Sequence, residues 1–318
     1  IGSGPSGLAA AQQLRRAGHG VTIFEKSDRA GGLLRYGIPD FKLEKRILDR
    51  RLAQLEAEGV AFRFGIEVGA HLTLHDLRQS FDAVCITIGA ERPRDLNVPG
   101  RSLEGIVYAM DFLSAQNRRT TKRPVTHDAH LTAHGKDVVI IGGGDTGADC
   151  LGTVLRQGCQ SVAQIEILPK PPSERDSSTP WPLWPLKLRT SPAHEEGGQR
   201  HWALQTQGFL GKEGKVAGLS ASSVALPSST MVIKSDLVLL ALGFTGVSSS
   251  PLTQQLEAAG VSFSPRGTIQ ANAQFQTAAG GIFAAGDARR GASLIVWAIA
   301  EGRKMATQVD RYLTALGA

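Results

Sequence analysis

The chain has 318 residues, of which 42% are hydrophobic and 20% are charged. A chain of this length predicts about two domains, and this composition excludes intrinsic disorder and a fibrous repeat. The net charge of +6 favours anionic ligands in a general way and identifies none of them. Glycine is in excess at 37 residues, about 12% of the chain against an average near 7%. Several segments therefore need backbone without a side chain.

Cysteine usage and hydropathy exclude several classes of protein. Cys85, Cys150 and Cys159 form no CxxC pair and no set of four, so we expect no disulfide framework, no metal site and no self-contained iron–sulfur cluster. A reducing cytoplasm is the simplest expectation. No apolar run approaches the roughly 18 residues that cross a bilayer, so we expect no membrane partner.

The densest basic cluster does not predict nucleic-acid binding. It consists of Arg118, Arg119, Lys122 and Arg123. The aromatic side chains on which the bases of a single strand would stack are not interleaved with these residues. We therefore expect a solvated linker there and no nucleic acid among the partners.

Strand and helix alternate over the first 90 residues. The predicted elements are a strand end with a glycine turn and a helix over residues 1–17, a strand over residues 21–25, a helix over residues 43–58, and strands over residues 60–64 and 83–88. Pro5 suits the first position of the first helix, Gly18 suits its end, and Gly59 ends the second helix. This alternation predicts a doubly wound α/β sheet.

The same order of elements begins again at Lys136, and Gly142 stands 140 residues after Gly2. The second set comprises a strand over residues 138–141, a glycine turn over residues 142–147, a helix ending near residue 158, an irregular loop over residues 169–185, strands over residues 237–242 and 282–287, and a closing helix from residue 293 to about residue 313. A repeated architectural unit implies two nucleotide sites.

The first glycine turn contains Gly2, Gly4 and Gly7 in a GxGxxG pattern. Glycine lets the backbone approach a pyrophosphate, and the N-terminus of the helix supplies unpaired N–H groups. Glu25 ends the next strand 18 residues after Gly7, where a carboxylate accepts ribose hydroxyl protons and repels a ribose phosphate. FAD or NAD fits this site and NADP does not. The alternative is a tight structural turn with Glu25 as a surface acid.

The second turn contains Gly142, Gly144 and Gly147, and it leaves the choice of nucleotide open. Ile165 matches Glu25 by sequence offset, so specificity must come from neighbouring residues. Glu166 would suit NAD, whereas Lys170 and Arg175 could reach a 2′-phosphate and would suit NADP. Asp145 is more simply interpreted as complementing the helix dipole than as a catalytic acid.

A third candidate site lies at Gly286 and Asp287, after the small residues Ala284 and Ala285. A strand, an acid and a following helix can hold the ribityl and phosphate end of a flavin, with Asp287 accepting a hydroxyl proton. The alternative is that Asp287 caps the helix that begins near Ser293.

Longer segments carry a specific resemblance. They are residues 31–43, 142–147, 181–185, 189–191, 194–197, 285–291 and 296–299. These segments are similar to those of the small subunits of glutamate synthases. Those subunits belong to the flavin-dependent pyridine nucleotide oxidoreductases that have two dinucleotide-binding domains. The similarity covers nearly all of the chain, and the Trp-Pro segment at residues 181–185 is not a general feature of Rossmann folds.

The resemblance implies an α/β fold like that of glutathione reductase, with two Rossmann-like domains. Both chain ends, residues 1–116 and 245–318, would form the FAD domain, and residues 117–244 would form an inserted NAD(P)H domain. The residues implied for FAD are Gly2, Ser3, Gly4, Pro5, Ser6, Gly7, Glu25, Lys26, Gly32, Leu33, Lys42, Gly286, Asp287 and Ser293. Those implied for NAD(P)H are Gly142, Gly143, Gly144, Asp145, Thr146, Gly147, Lys170, Arg175, Ala241, Leu242 and Gly243.

The resemblance also implies a function. Hydride would pass from NADPH, or from NADH, to FAD, and electrons would leave through iron–sulfur centres to a large subunit that makes glutamate from 2-oxoglutarate and glutamine-derived ammonia. Because the cofactors carry out hydride transfer, we expect no catalytic side chain. His194 beside Glu195 is interpreted as ordering its loop.

Two features depart from the family pattern. Ile167 and Leu168 stand where related enzymes carry paired basic residues, which weakens the assignment of NADP. The family's N-terminal cysteine-rich module and a complete strand before Gly2 are also missing, so the chain resembles a fragment. We therefore expect the isolated chain to bind FAD poorly.

Three other functions remain as alternatives. A disulfide reductase of the thioredoxin reductase type would need a redox CxxC beside the flavin, and the chain has none. A stand-alone or ferredoxin-linked NAD(P)H oxidoreductase would share the same core and differ in its acceptor. A truncated, non-catalytic fragment would serve only as a scaffold.

Overall fold

The computed structural model describes residues 1–122, 131–183 and 185–317. Arg123 of the basic cluster and Trp184 of the Trp-Pro segment lie outside the described residues. The helices are α1 (Pro5–Arg16), α2 (Leu33–Tyr36), α3 (Lys45–Ala57), α4 (Leu74–Ser80), α5 (Ala109–Thr120), α6 (Asp145–Arg156), α7 (Pro192–Glu195), α8 (Pro251–Ala258), α9 (Asp287–Arg290) and α10 (Ile295–Leu316).

The strands complete the alternation of elements. They are β1 (Thr22–Glu25), β2 (Ala61–Phe64), β3 (Val84–Ile86), β4 (Arg92–Pro93), β5 (Ile106–Tyr108), β6 (Asp137–Ile141), β7 (Ser161–Ile165), β8 (Gln199–His201), β9 (Leu204–Lys212), β10 (Lys215–Ser223), β11 (Thr230–Lys234), β12 (Leu237–Leu240), β13 (Phe244–Gly246) and β14 (Ile282–Ala284). The mixed α/β fold with parallel strands, which the sequence predicts, is confirmed.

The chain divides into two compact units. Unit 1 is Ile1–Arg94 with Phe244–Ala318, and unit 2 is Asp95–Gly243. The first boundary between these units lies at residue 95, whereas the sequence places the domain crossing near residue 117. Strand β5 pairs with β12, and α5 packs against α6. Strand β5 and helix α5 therefore belong to unit 2. The second crossing lies after Gly243, where the sequence places it at residue 245.

A five-stranded parallel sheet forms the centre of unit 2, in the order β5-β12-β6-β7-β8. Strand β6 is buried on both faces, and its side chains alternate between them. Val138 and Ile140 pack against α5 and α6, whereas Val139 and Ile141 pack against side chains of β9 and β10. Burial of each such side chain stabilises the unit by about 1.5–3 kcal/mol. The carboxyl end of β6 leads directly into the second glycine turn.

An antiparallel sheet covers one face of unit 2, in the order β11-β10-β9. The sequence analysis assigns no element to this region. Glu213 and Gly214 join β9 to β10, and both have positive φ, at 52° and 79°. Two such residues between extended segments are typical of a tight hairpin turn.

Unit 1 contains two parallel strand pairs, β1 with β2 and β3 with β14. The first two residues lie between these pairs. The Gly2 N–H donates to the Phe24 carbonyl at 2.9 Å, and the Thr87 N–H donates to the Ile1 carbonyl at 2.9 Å. The first glycine turn is thus fixed to both pairs before α1 begins.

The closing helix differs slightly from its predicted bounds. It begins at Ile295 and extends to Leu316, over 22 residues. A separate short helix, α9, precedes it and begins at Asp287. In the three described ranges, no helix combines the length and the hydropathy that crossing a membrane needs.

Candidate functional site: two glycine turns of the same design

The first glycine turn is held by close backbone contacts. Gly2 has a φ of +94°, and a Cβ on Gly7 would lie 2.1 Å from the Gly2 carbonyl oxygen. Gly4 faces open space, because a Cβ there would meet nothing within 4 Å. No side chain caps the N-terminus of α1, although Thr73 caps α4 and Ser250 caps α8. The first N–H groups of a helix have no partner within the helix, and this uncapped N-terminus fits a phosphate.

Glu25 anchors this turn from the end of β1. Its carboxylate is 7% exposed and accepts the Ser3 N–H at 3.1 Å and the Ser3 hydroxyl at 2.5 Å. The Ser27 N–H donates to its other oxygen at 2.8 Å. Glu25 therefore places negative charge beside the turn, which disfavours a ribose phosphate there.

A second loop lies against the first turn. The Gly31 N–H donates to the Ser3 carbonyl at 3.1 Å, and a Cβ on Gly32 would lie 3.0 Å from the Cα of Gly4. Leu33, the first residue of α2, is exposed. The structure therefore brings Gly32 to the turn.

Two further residues predicted to bind FAD are the lysines Lys26 and Lys42. Lys26 forms an ion pair with Glu91 at 2.5 Å. Lys42 is exposed in the loop before α3. Their proposed contacts with FAD stay predictions.

The turn after β14 packs against the start of α1. Gly286 has a φ of +70°, and a Cβ there would lie 2.7 Å from the Cβ of Ser6. Asp287 accepts the Ser293 hydroxyl at 2.6 Å, and burial raises the pKa of the Asp287 carboxyl above its ordinary value. The structure thus brings these predicted residues of both chain ends together.

Glu301 of α10 is a buried acid that the sequence analysis missed. It is 6% exposed and accepts the Gly286 N–H at 3.0 Å. Arg289 and Arg290 each approach its carboxylate at 3.3 Å. No spacing rule connects a residue in the middle of a helix with a turn 15 positions earlier, so sequence reasoning had no signal for it.

These features fit an anionic cofactor that carries hydroxyl groups, as FAD does. The Ser6 hydroxyl is buried and has no hydrogen-bond partner in the described part of the chain, although buried polar atoms are normally paired. It lies at the uncapped start of α1, beside Gly286. The residues that would hold FAD are therefore those of the first turn, Glu25 for the ribose, and Asp287 with Ser293 for the ribityl end.

The second glycine turn repeats the first. Gly142 has a φ of +123°, and a Cβ on Gly147 would lie 2.2 Å from the Gly142 carbonyl oxygen. Gly144 faces open space, and no side chain caps α6. Asp145 lies in the first turn of α6, as expected for an acid that complements the helix dipole.

Glu166, and not Ile165, is the structural counterpart of Glu25. Ile165 is fully buried in the core. The Gly143 N–H donates to Glu166 at 2.7 Å, and the Leu168 N–H donates to its other oxygen at 3.0 Å. Counting by a fixed offset missed this equivalence, because one additional residue separates the second turn from its acid.

Ala241 lies beside the second turn, where a Cβ on Gly142 would come within 2.3 Å of the Ala241 carbonyl oxygen. Lys170 and Arg175 have other described contacts. The Lys170 ammonium lies 5.2 Å from the centre of the Trp202 ring. The Arg175 guanidinium donates to the carbonyl of Thr179 at 3.0 Å.

His194 connects the loop before β8 to this turn. The Ser191 N–H donates to His194 Nδ1 at 3.0 Å, so Nε2 carries the proton that Gln164 Oε1 accepts at 3.0 Å. The Gln164 amide in turn donates to the Gly142 carbonyl at 2.8 Å. His194 thereby fits the loop-ordering role. Within the described ranges, no three His, Cys, Asp or Glu side chains are grouped as metal ligands.

Each of the two turns is followed by a helix and by an acid at, or directly after, the end of the next strand. This arrangement defines a class of proteins that carry two dinucleotide-type α/β units in one chain. The family model of the pyridine nucleotide-disulphide oxidoreductases matches residues 1–179 and 199–302. The chain belongs to this family and is therefore an oxidoreductase of the pyridine-nucleotide-dependent class.

Three curated relatives are similar to nearly the whole length of this chain. The chain is 53% identical, over 98% of its length, to the glutamate synthase [NADPH] small chain of Mycobacterium tuberculosis and spans 66% of that relative. It is 43% identical to the glutamate synthase [NADPH] small chain of Bacillus subtilis, over 98% of this chain and 67% of the relative. It is 40% identical to the glutamate synthase [NADH] of Saccharomyces cerevisiae, over 98% of this chain and 15% of the relative.

A solved structure shows the same fold. Mycobacterium tuberculosis FprA in complex with NADPH is 18% identical and superposes with a TM-score of 0.77, over 99% of this chain and 84% of that one. The chain thus spans about two thirds of the first curated relative and 84% of the FprA chain.

Proposed function

We propose that this chain passes hydride from a reduced nicotinamide nucleotide to FAD as the electron-input part of a glutamate synthase. The observation that carries the proposal is the pair of glycine turns, each with an uncapped helix N-terminus and an acid bonded to the turn. NADPH is the donor named for the two bacterial relatives, and NADH is the donor named for the yeast relative.

The bound cofactors supply the redox chemistry, and the side chains hold and orient them. In unit 1, the N-terminus of α1 binds the FAD pyrophosphate, Glu25 orients the adenosine ribose, and Asp287 with Ser293 accepts and positions ribityl hydroxyl groups. In unit 2, the N-terminus of α6 binds the nucleotide pyrophosphate, and Ala241 to Gly243 line the approach of the nicotinamide. Hydride transfer depends on alignment of the two rings, so no acid or base side chain is required.

Electrons then leave this chain for an iron–sulfur acceptor that serves a large, glutamate-forming subunit. The acceptor belongs to another part of the enzyme or to a partner, since the described residues group no metal ligands. Cys85 is unsuited to a redox role, because burial raises the pKa of its thiol to about 11 and disfavours the reactive thiolate. The cytoplasm, where free cysteines stay reduced, is the proposed location.

A stand-alone or ferredoxin-linked oxidoreductase is the second candidate. The same two turns would serve it, and only the electron acceptor would differ. The disulfide reductase alternative has no support, because the chain contains no CxxC pair.

Anaerobic mixing of the FAD-loaded chain with NADH or NADPH tests the proposal. We expect the visible absorption band of oxidised flavin to disappear with at least one donor. Reoxidation by a glutamate synthase large subunit with its iron–sulfur centres, and not by a ferredoxin, favours the first candidate. A chain that binds FAD and whose flavin stays oxidised with both donors would leave only the scaffold function.

A further inference from the structure

We propose that Gln164 and His194 together hold the second glycine turn in the shape that binds a nucleotide, which makes His194 a positioning residue for the hydride donor. His194 acts through Gln164, from a position 30 residues further along the chain. The proposal rests on the proposed function, because it assumes that the donor binds at this turn. It goes beyond the ordering of a loop, since it gives that loop an effect on nucleotide affinity.

Gln164 closes the second turn from within the core. It lies on β7 and is 2% exposed, and its neighbours Ala163 and Ile165 are buried apolar residues. Its amide nitrogen donates to the Gly142 carbonyl at 2.8 Å, and a Cβ on Gly147 would lie 2.5 Å from the same nitrogen. The amide group therefore fills the space between the first and the last glycine of the turn.

The first turn has a counterpart of this bond with a different donor. The Thr87 hydroxyl donates to the carbonyls of Ile1 and Gly2, at 2.9 Å and 3.0 Å, and a Cβ on Gly7 would lie 2.7 Å from its oxygen. A hydroxyl group rotates to direct its proton at an acceptor, whereas an amide group has a nitrogen end and an oxygen end whose positions must be fixed. The donor of the second turn therefore needs a further residue to orient it.

His194 supplies that orientation. Nδ1 of the neutral ring accepts the Ser191 N–H at 3.0 Å, so Nε2 carries a proton and needs an acceptor, which is Gln164 Oε1 at 3.0 Å. With the amide reversed, its NH₂ group would face the Nε2 proton and its oxygen would face the Gly142 carbonyl oxygen. Both contacts would be repulsive. The bonds from Ser191 through His194 and Gln164 to Gly142 therefore form a hydrogen-bond relay with one direction.

Helix α7, which carries His194, is also held by contacts outside the relay. Ala193 is 1% exposed, and Glu196, directly after the helix, forms an ion pair with Arg156 of α6 at 2.5 Å. Loss of the bond from His194 should therefore leave α7 in place and leave the buried Gln164 oxygen without its donor, which is unfavourable. The amide is then free to turn away from the second turn, and nucleotide binding should weaken while FAD binding does not.

Two substitutions of His194 separate this role from simple ordering of the loop. Asn keeps an acceptor near the position of Nδ1 and has no group at Nε2, whereas Gln brings an N–H donor to the position of Nε2. NADP⁺ and NAD⁺ are the probes, because neither reduces the flavin. We expect His194→Asn to weaken binding of both to the FAD-loaded chain by about tenfold and His194→Gln to stay within about threefold of the wild type. Calorimetric titration measures these affinities, and a separate FAD titration should show no change.

The relay also predicts that its two side chains act as one. Gln164→Met, of similar length and without an N–H donor, should weaken nucleotide binding about as much as His194→Asn. The double variant should be little worse than either single variant. His134→Leu is the matched control, since it removes an imidazole that lies 3.0 Å from the Gln157 carbonyl oxygen, before β6 and away from the turn at its carboxyl end. It should bind both nucleotides as the wild type does.

Three results would overturn the proposal and leave the proposed function standing. They are wild-type nucleotide affinity in folded His194→Asn, equal losses in His194→Asn and His194→Gln, and losses that multiply in the double variant. Failure of the FAD-loaded wild-type chain to bind either nucleotide would instead overturn the proposed function itself. If Gln164→Met does not fold, the two substitutions of the half-buried His194 still decide the question.

Discussion

Two serine side chains of the first glycine turn have opposite environments. The Ser3 hydroxyl donates to Glu25 at 2.5 Å, so it contributes to the turn without any ligand. The Ser6 hydroxyl is buried beside Gly286 with no partner within the described residues. A buried polar group without a partner costs about 1–3 kcal/mol, so Ser6 is a group whose partner we expect to be the cofactor.

Replacing Ser6 by alanine should therefore have opposite effects on the stability of the FAD-free chain and on its affinity for FAD. Without FAD, Ser6→Ala should raise the free energy of unfolding by about 1 kcal/mol, because the unpaired hydroxyl is removed. With FAD, the same variant should bind several-fold more weakly. Urea unfolding and FAD titration measure the two effects.

Ser3→Ala is the matched control for this prediction. It removes a hydroxyl that already has a partner, so it should lower the stability of the FAD-free chain. If both variants change stability in the same direction, the Ser6 hydroxyl is not the unpaired group that the structure indicates.

Removing the charge of the Asp287 carboxyl should also raise the stability of the chain and weaken FAD binding. Burial raises the pKa of this carboxyl, so the folded state favours the protonated form and stability falls as the pH rises through that pKa. Asp287→Asn removes the buried charge and should raise Tm at neutral pH by a few degrees, while weakening FAD binding.

The gain in Tm should shrink as the pH falls toward the ordinary range of an aspartate, near 4, because Asp287 becomes protonated first in the folded state and, below that range, in the unfolded state as well. Thermal unfolding at several pH values measures this change. Glu257→Gln, an exposed acid on α8, should show no such trend. A pH-independent gain in Asp287→Asn would contradict the role of buried charge.

At the scale of elements, the packing of α1 against α10 holds the two ends of unit 1 together. A Cβ on Gly302 would lie 2.2 Å from the backbone carbonyl oxygen of Ser6, which no rotamer change could relieve. The glycine therefore allows the two helix backbones to approach directly. Because the helices lie close together, the carboxylate of Glu301, the preceding residue, accepts the Gly286 N–H.

Gly302→Ala should push α10 away from α1. We expect a loss of about 1–3 kcal/mol of stability, as for other overpacked sites, and weaker FAD binding because Ser6 and Gly286 move apart. Chemical denaturation and FAD titration measure both effects.

Gly317→Ala, at the end of the same helix, serves as control, since its Cβ would have no neighbour closer than 3.9 Å. It should leave stability and binding nearly unchanged. An equal effect of the two substitutions would mean that helix propensity, and not backbone contact, dominates.

The elements also show which features a sequence can predict. The buried parallel strands and the glycine turns were predicted because each depends on a local pattern of apolar residues or glycines. The antiparallel sheet of β9 to β11 was missed because its strands mix buried and exposed positions irregularly. The boundary between the units at residue 95 has no local signal in the sequence, because it depends on the pairing of β5 with β12, more than 100 residues later.

The candidate sites follow the same division. Gly7 and Gly147 stand in a motif that signals a nucleotide turn, whereas Glu301 acts through a contact that exists only in the folded chain. The equivalence of Glu166 to Glu25 could have been predicted from the sequence by allowing a difference of one residue in the spacing between turn and acid. Prediction therefore succeeded where the chemistry is local and failed where distant segments meet.

At the scale of the whole molecule, the two units are expected to respond to different ligands. A ligand that binds only the folded state raises stability by about 2.7 kcal/mol at a hundredfold excess over its Kd. FAD should therefore shift the unfolding of unit 1, and a nicotinamide nucleotide should shift the unfolding of unit 2. Differential scanning calorimetry with each ligand resolves the two shifts.

Residue-level probes assign the shifts to the units. Of the four tryptophans, Trp297 belongs to unit 1 and the other three belong to the sequence range of unit 2. Replacing Trp297 by phenylalanine therefore leaves fluorescence from unit 2 alone, and replacing the other three leaves fluorescence from unit 1 alone. Finding that both ligands shift only the transition of one unit would refute the assignment of one cofactor to each.

The division of unit 1 between two distant parts of the chain also has a consequence for synthesis on the ribosome. Asp95–Gly243 is continuous, so its parallel sheet can form while translation is still in progress. Helix α1 emerges well before α10, whose side chains cover Ala10 and Leu14 of α1. This part of the apolar surface of α1 therefore stays uncovered while the intervening residues are synthesised, and a chaperone that shields it at this stage would protect the nascent chain.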